Sequence, residues 1–101
     1  MLWLRAARAA DRGVVPGEAA NLLTRALTEE PLCAGAWLEV AQRAWAQHAP
    51  GETQKALANV HRALGLAPQA NGFARTILSL DQADHERLAA LTARTAVGPP
   101  W

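Results

Sequence analysis

Apolar side chains recur at three- and four-residue spacing along most of the chain, which is the pattern of amphipathic helices. The pattern predicts five to six helices, over residues 2–12, 18–28 or 18–30, 35–47, 53–65, 71–78 and 80–97. Glycines and prolines separate these segments, and no stretch alternates apolar and polar residues as a surface strand would. We therefore predict an all-α protein without a sheet.

Local signals predict where two of the helices begin. The segment His48-Ala49-Pro50-Gly51 predicts the turn before the fourth helix, and Thr53 is the expected N-cap of that helix. Ser79-x-x-Gln82 has the spacing of a capping box and predicts the start of the last helix. Apolar residues fall on one side of the last helix, at Leu80, Leu88 and Leu91. Its charged residues are expected to face solvent, at Asp84, Glu86 and Arg94.

The second third of the chain repeats the sequence pattern of the first third. Trp3-Leu4 recurs as Trp37-Leu38, and Pro16-Gly17-Glu18 recurs as Pro50-Gly51-Glu52, both 34 positions later. After that point the distance grows to 37, so the second copy carries three extra residues near 53–55. A repeat of this length is typical of helical solenoids, in which helix pairs stack on their neighbours.

The spacing within each copy resembles the tetratricopeptide repeat, with a large aromatic residue, then small residues, then a closing proline. The first copy has Trp3, Ala7, Ala10, Ala19, Leu23, Ala26 and Pro31 at these positions. The second copy has Trp37, Ala41, Ala44, Ala56, Val60, Ala63 and Pro68. Leu23 and Val60 replace an aromatic residue of the family pattern, and Ala10 and Ala44 replace its tyrosine.

This resemblance implies one domain, a right-handed α-solenoid of antiparallel helix pairs. Repeat one would span 1–33 and repeat two 34–70, followed by a degenerate third repeat and capping helix at 71–97 and a short tail at 98–101. The last helix is expected to cover the open end of the stack, with a homodimer through this helix as the alternative.

Composition narrows the classes of function. The net charge of the 101-residue chain is +1, so no global field attracts nucleic acid or anionic lipid. The single cysteine, Cys33, rules out an internal disulfide and suits a reducing compartment. No apolar run approaches the roughly 18 residues of a membrane span, and the start lacks the features of a signal peptide. We expect a cytoplasmic protein.

No catalytic or metal motif is found in the sequence. A glycine-rich phosphate loop, a Gly-x-Ser-x-Gly elbow and a His-Glu-x-x-His pair are all missing. We therefore predict no enzyme activity, no cofactor and no metal. Cys33 is interpreted as a packed thiol at a helix start, and Asp81 as a residue that offsets a helix dipole.

In the tetratricopeptide family the first helix of each pair lines a concave groove. The resemblance thus implies a partner-binding groove formed by Leu4, Arg5, Arg8, Arg12, Leu38, Gln42 and Trp45. Arg5, Arg8 and Arg12 fall on one helix face and suit carboxylates, although such a stripe is also common on a solvated face. Trp45 is either an exposed anchor or a residue packed under the longer turn of the second copy.

The combined prediction is a non-catalytic adaptor or assembly chaperone that binds a peptide or helix of another protein in this groove. Acidic peptides are among the expected partners. One alternative is a structural subunit docked permanently through its convex or terminal surfaces. Another is a small nucleic-acid-binding helical domain that uses the arginine stripe, which the low net charge disfavours.

Overall fold

A computed structural model describes residues 2–12 and 16–98, without the side chains of residues 2, 9–12 and 16. The α-helices are α1 (Leu2–Arg12), α2 (Pro16–Glu29), α3 (Ala34–Ala46), α4 (Pro50–Leu66), α5 (Gly72–Leu78) and α6 (Gln82–Val97). A short 3₁₀ helix, Ala67–Gln69, joins α4 to α5. Within the described ranges the chain is all-helical and holds no strand, which confirms the predicted class. None of these helices is long and apolar enough to cross a membrane.

The first four helices pack as two successive pairs, α1 on α2 and α3 on α4. Six alanines that recur between the two copies are all buried, at Ala7, Ala19, Ala26, Ala41, Ala56 and Ala63. Side chains of this size let two helix backbones approach closely, which explains why the repeat keeps them. Their predicted packing role is confirmed.

Each pair has its own hydrophobic core. The first core contains Leu4 and Leu23, and the second contains Leu38 and Val60. Val40 of α3 packs against both cores and so links the two pairs. These contacts make the two copies one continuous packed body.

The repeated tryptophans flank the cores and are only half-buried. Trp3 packs on the first core, and the guanidinium of Arg25 lies 5.1 Å above its ring. Trp37 packs on the second core, and its Nε1 donates a hydrogen bond to the carbonyl of Pro31 at 2.8 Å. The two rings thus fill gaps beside the pairs while their polar or electron-rich parts keep a partner.

The repeated Pro-Gly-Glu segment begins a helix in both copies, so the predicted turn over residues 48–51 is right only for His48, and Pro50 and Gly51 are helical. Proline suits the first helical position because its ring fixes a helical φ and its missing N–H would have no helical partner. The turn before α4 lies instead at Gln47 and His48, where φ of His48 is 60°. Thr53 is not an N-cap: it is buried inside α4, and its Oγ1 donates to the carbonyl of Ala49 at 2.9 Å.

The three extra residues of the second copy lie within a helix. α4 has 17 residues and its counterpart α2 has 14. Three residues turn a helix by about 300°, so the insertion extends α4 by slightly less than one turn and leaves its face rotated by about 60°.

The N-cap of the last helix lies two residues later than the sequence predicts. Asp81 is the N-cap of α6, and its Oδ1 accepts a hydrogen bond from the backbone N–H of Asp84 at 2.8 Å. Ser79 lies outside the helix in extended backbone, so the predicted capping box is wrong. Leu88 and Leu91 are buried as expected, but Asp84 is buried with them rather than exposed to solvent.

Candidate protein-binding groove

Helix α6 lies alongside α3 and points in the same direction. Arg87, near the start of α6, approaches Glu39 in the first half of α3. Leu91 and Arg94, farther along α6, share a groove with Trp45 at the end of α3. Leu88 and Leu91 hold the two helices together because they belong to the core around Leu38.

A charged pocket of about 330 Å³ lies where α1, α3 and the start of α6 meet. Its lining consists of Arg8, Glu39, Gln42, Asp81, Ala83, Asp84 and Arg87. Arg8 of α1 bridges the other two helices, since its Nε donates to Glu39 at 3.0 Å and its Nη2 donates to Asp84 at 2.9 Å. Arg87 adds contacts of 3.3 Å to Asp84 and 3.8 Å to Glu39.

The pocket has no surplus of positive charge. Two guanidinium groups lie among three carboxylates, of Glu39, Asp81 and Asp84, and the Asp84 side chain is only 7% exposed. Burial alone would lower the pKa of Arg8, but its hydrogen bond to Asp84 and the charge of Glu39 raise that pKa overall. The pocket is therefore a structural link between three helices and is poorly suited to capture a further anion.

A second groove of about 310 Å³ continues from the charged pocket between α3 and α6. This α3–α6 groove is lined by Gln42, Trp45, Ala46, Arg87, Ala90, Leu91 and Arg94. Leu91 and the half-buried Trp45 are its apolar part, since both pack on the second core. The lining contains two arginines and, among the described residues, no carboxylate. Its surface thus combines an apolar floor with the exposed cation of Arg94, while Arg87 contacts the carboxylates of Asp84 and Glu39.

The residues predicted to bind a partner are divided by the structure. Gln42 and Trp45 lie together in the α3–α6 groove, and Trp45 also packs against the core. Arg5 is exposed but lines neither pocket, and Arg8 is held by Glu39 and Asp84. The side chain of Arg12 lies outside the described residues.

Leu4 and Leu38 are buried in the two cores, 2% and 0% exposed, so their predicted place on a groove surface is wrong. Each follows a repeated tryptophan, and adjacent helical residues point about 100° apart. The pattern alone did not decide which of the two neighbours faces inward. The leucines take the buried position, and the larger tryptophans lie at its edge.

Arg87, Leu91 and Arg94 were missed as groove residues because the sequence suggested only a capping role for the last helix. One signal pointed to this helix: Asp84 precedes Leu88 by four residues and Leu91 by seven. A carboxylate on the same face as two buried leucines needs a cationic partner, and Arg8 and Arg87 provide it.

The chain matches no protein-family model, and no curated protein or solved structure shows significant similarity to it.

Proposed function

We propose that this chain is a non-catalytic interaction module that binds a segment of another protein in the α3–α6 groove. The observation that carries this proposal is the lining of the groove, which joins an apolar floor of Trp45 and Leu91 to the cationic side chains of Arg87 and Arg94. Buried aromatic residues and arginines are the groups that contribute most to binding energy at protein interfaces.

The architecture we propose for the module is a right-handed, tetratricopeptide-like solenoid. The support is the sequence repeat, the burial of its six shared alanines and the pairing of α1 with α2 and α3 with α4. In this interpretation α6, which runs beside α3, takes the place of the first helix of a third pair. The groove then corresponds to the concave surface between successive first helices.

The partner segment has a defined chemistry in this proposal. It presents an apolar side chain to Trp45 and Leu91, and it carries Asp or Glu within reach of Arg94. Guanidinium groups bind carboxylates through paired hydrogen bonds, which would fix the orientation of the segment. A short helix or peptide of an assembling complex fits this description, as an adaptor or assembly chaperone requires.

The test compares two charge reversals that differ only in position. Arg94→Glu changes an exposed side chain that lines the groove, and Arg62→Glu changes an exposed side chain of α4 that does not line it. Partners captured by the wild-type chain are identified by mass spectrometry, and the affinity of each purified partner is then measured by calorimetry. We expect Arg94→Glu to weaken binding at least tenfold, about 1.4 kcal/mol, and Arg62→Glu to leave it unchanged.

Circular dichroism and urea unfolding establish that both variants remain folded. Equal affinity of the folded Arg94→Glu variant and the wild type would overturn the groove proposal. The partner would then dock on another surface, as a permanently bound structural subunit would.

A further inference from the structure

None of the seven residues of helix α5 is buried. Its sequence is rich in apolar residues, yet the side chain of Phe73 is 64% exposed. Just before α5, Leu66 at the end of α4 is 41% exposed. A phenylalanine exposed to this degree beside other apolar residues is typical of a surface that another molecule covers.

A cleft of about 400 Å³ separates α5 from the loop between α2 and α3. Leu32 of the loop faces Ile77 and Leu78 of α5 across this α5 cleft. Ile77 also packs against the first hydrophobic core, so the floor of the cleft is continuous with the interior. Phe73 precedes Ile77 by one helical turn and extends the apolar surface along the same face of α5.

The loop wall of the α5 cleft is held in place by hydrogen bonds. Trp37 Nε1 donates to the carbonyl of Pro31 at 2.8 Å, and the backbone N–H of Cys33 donates to the carbonyl of Glu30 at 3.0 Å. Because this wall is already ordered, binding a partner carries a smaller entropic cost.

The rim of the α5 cleft is acidic. Glu29 and Glu30 line it, and Arg75 is the one cationic residue in the sequence of α5. The guanidinium of Arg75 is engaged at the end of α4, where it donates to the carbonyls of Ala67 at 3.3 Å and Pro68 at 3.0 Å. Arg75 therefore binds backbone oxygens at the end of α4, and the exposed Glu29 places a negative charge beside the apolar floor.

We propose that the α5 cleft is a second docking surface, whose occupant is a basic amphipathic helix of another protein. An apolar residue of that helix packs on Leu32, Ile77 and Phe73, and Lys or Arg one turn away pairs with Glu29. The described walls are helix and loop without a strand edge, so an extended peptide finds no backbone to pair with. The occupant is opposite in charge to the segment proposed for the α3–α6 groove, and this proposal does not depend on that one.

The experiment is a selection from a phage-displayed library of helical peptides about 16 residues long, roughly four turns. Selection uses the full chain as bait, and counter-selection uses its Glu29→Lys/Phe73→Ser variant. We expect the enriched peptides to carry apolar residues at i and i+4 with Lys or Arg beside them. Binding of each synthetic peptide should fall at least tenfold with Glu29→Lys alone, and it should weaken as salt is added.

The matched control is Glu86→Lys, the same charge reversal at an exposed position of α6. This control should bind the selected peptides as the wild type does. Both Glu29 and Phe73 are exposed, so their variants are expected to keep the helical circular dichroism of the wild type. Enrichment of acidic peptides, or equal binding by the Glu29→Lys variant, would overturn the proposal. Self-association of the wild-type chain that Phe73→Ser abolishes would also overturn it, because the occupant would then be a second copy.

Discussion

The guanidinium of Arg8 lies 2.9 Å from the carboxylate of Asp84, although 76 positions separate the two residues in the chain. This contact joins the first helix to the last, and Glu39 of α3 completes the link from the other side of Arg8. Both partners are largely withdrawn from water, with side chains 23% and 7% exposed. A charge in that position is costly unless its counter-charge is present.

Removing the charge of Asp84 should therefore destabilise the whole fold. For Asp84→Asn we expect the free energy of unfolding to fall by about 2 kcal/mol, the typical effect of losing a charge-assisted hydrogen bond. Urea denaturation measures the change, and Glu86→Gln on the exposed side of α6 is the control that should have little effect. If Asp84→Asn and Arg8→Met destabilise additively in the double variant, the two side chains are not coupled.

Gly35 marks the closest approach of α1 to α3. A Cβ atom at this position would lie 2.7 Å from Cδ2 of Leu4, which is itself buried and has little space to move. Gly35→Ala should lower the free energy of unfolding by about 1–3 kcal/mol through overpacking, although alanine favours helix. Gly65→Ala in α4 is the matched control, because nothing lies within 4 Å of its added Cβ. The free energy of unfolding of the Gly65→Ala variant should rise by about 0.5 kcal/mol, as measured by thermal or urea unfolding. Equal effects of the two substitutions would contradict a close contact at Gly35.

The start of α6 offers a comparison of two neighbouring polar residues. Asp81→Ala removes the N-cap oxygen that accepts from the N–H of Asp84, and should cost about 1 kcal/mol. Ser79→Ala should change the free energy of unfolding by less than about 0.5 kcal/mol because Ser79 lies outside the helix. The two values come from urea unfolding of each variant. If Ser79→Ala lowers the free energy of unfolding more than Asp81→Ala does, Ser79 and not Asp81 is the N-cap of α6.

Cys33 should make the stability depend on pH above the neutral range. Burial raises the pKa of its thiol above the ordinary value of 9.0. Below pH 9.0 both the folded and unfolded states keep the proton; above it the unfolded state loses its proton first. The free energy of unfolding should then fall by up to about 1.4 kcal/mol per pH unit until the folded-state pKa is reached. Urea unfolding between pH 8 and 10.5 measures this slope, which Cys33→Ala should reduce; an unchanged slope in that variant would rule out the thiol as its source.

The sequence predicts the helical class and most helix boundaries because apolar spacing and helix-forming residues agree along the chain. The six repeated alanines were correctly assigned to packing for the same reason: one small residue at two equivalent places indicates a close helix contact. Pro50 and Thr53 were misplaced because proline suits a turn and the first helical position alike. Only the hydrogen bonds of the backbone distinguish these two roles.

The candidate groove was predicted only in part. The repeat predicts Gln42 and Trp45 in a groove lined by the first helix of each pair, and both lie instead in the α3–α6 groove. The sequence does not predict Arg87 and Arg94 there, because their approach to α3 depends on a contact between helices distant in sequence. Likewise, the spacing of Arg5 and Arg8 predicts that they share a face, but not that Asp84 pairs with Arg8.

The bond between the first and last helices has a consequence for synthesis of the chain. α1 and α2 are adjacent in sequence and can pair while translation continues. The ion pair of Arg8 with Asp84, however, forms only after residue 84 has left the ribosome. In a nascent chain Arg8 can therefore pair with Glu39 as soon as α3 has emerged, whereas its second carboxylate partner arrives only with α6.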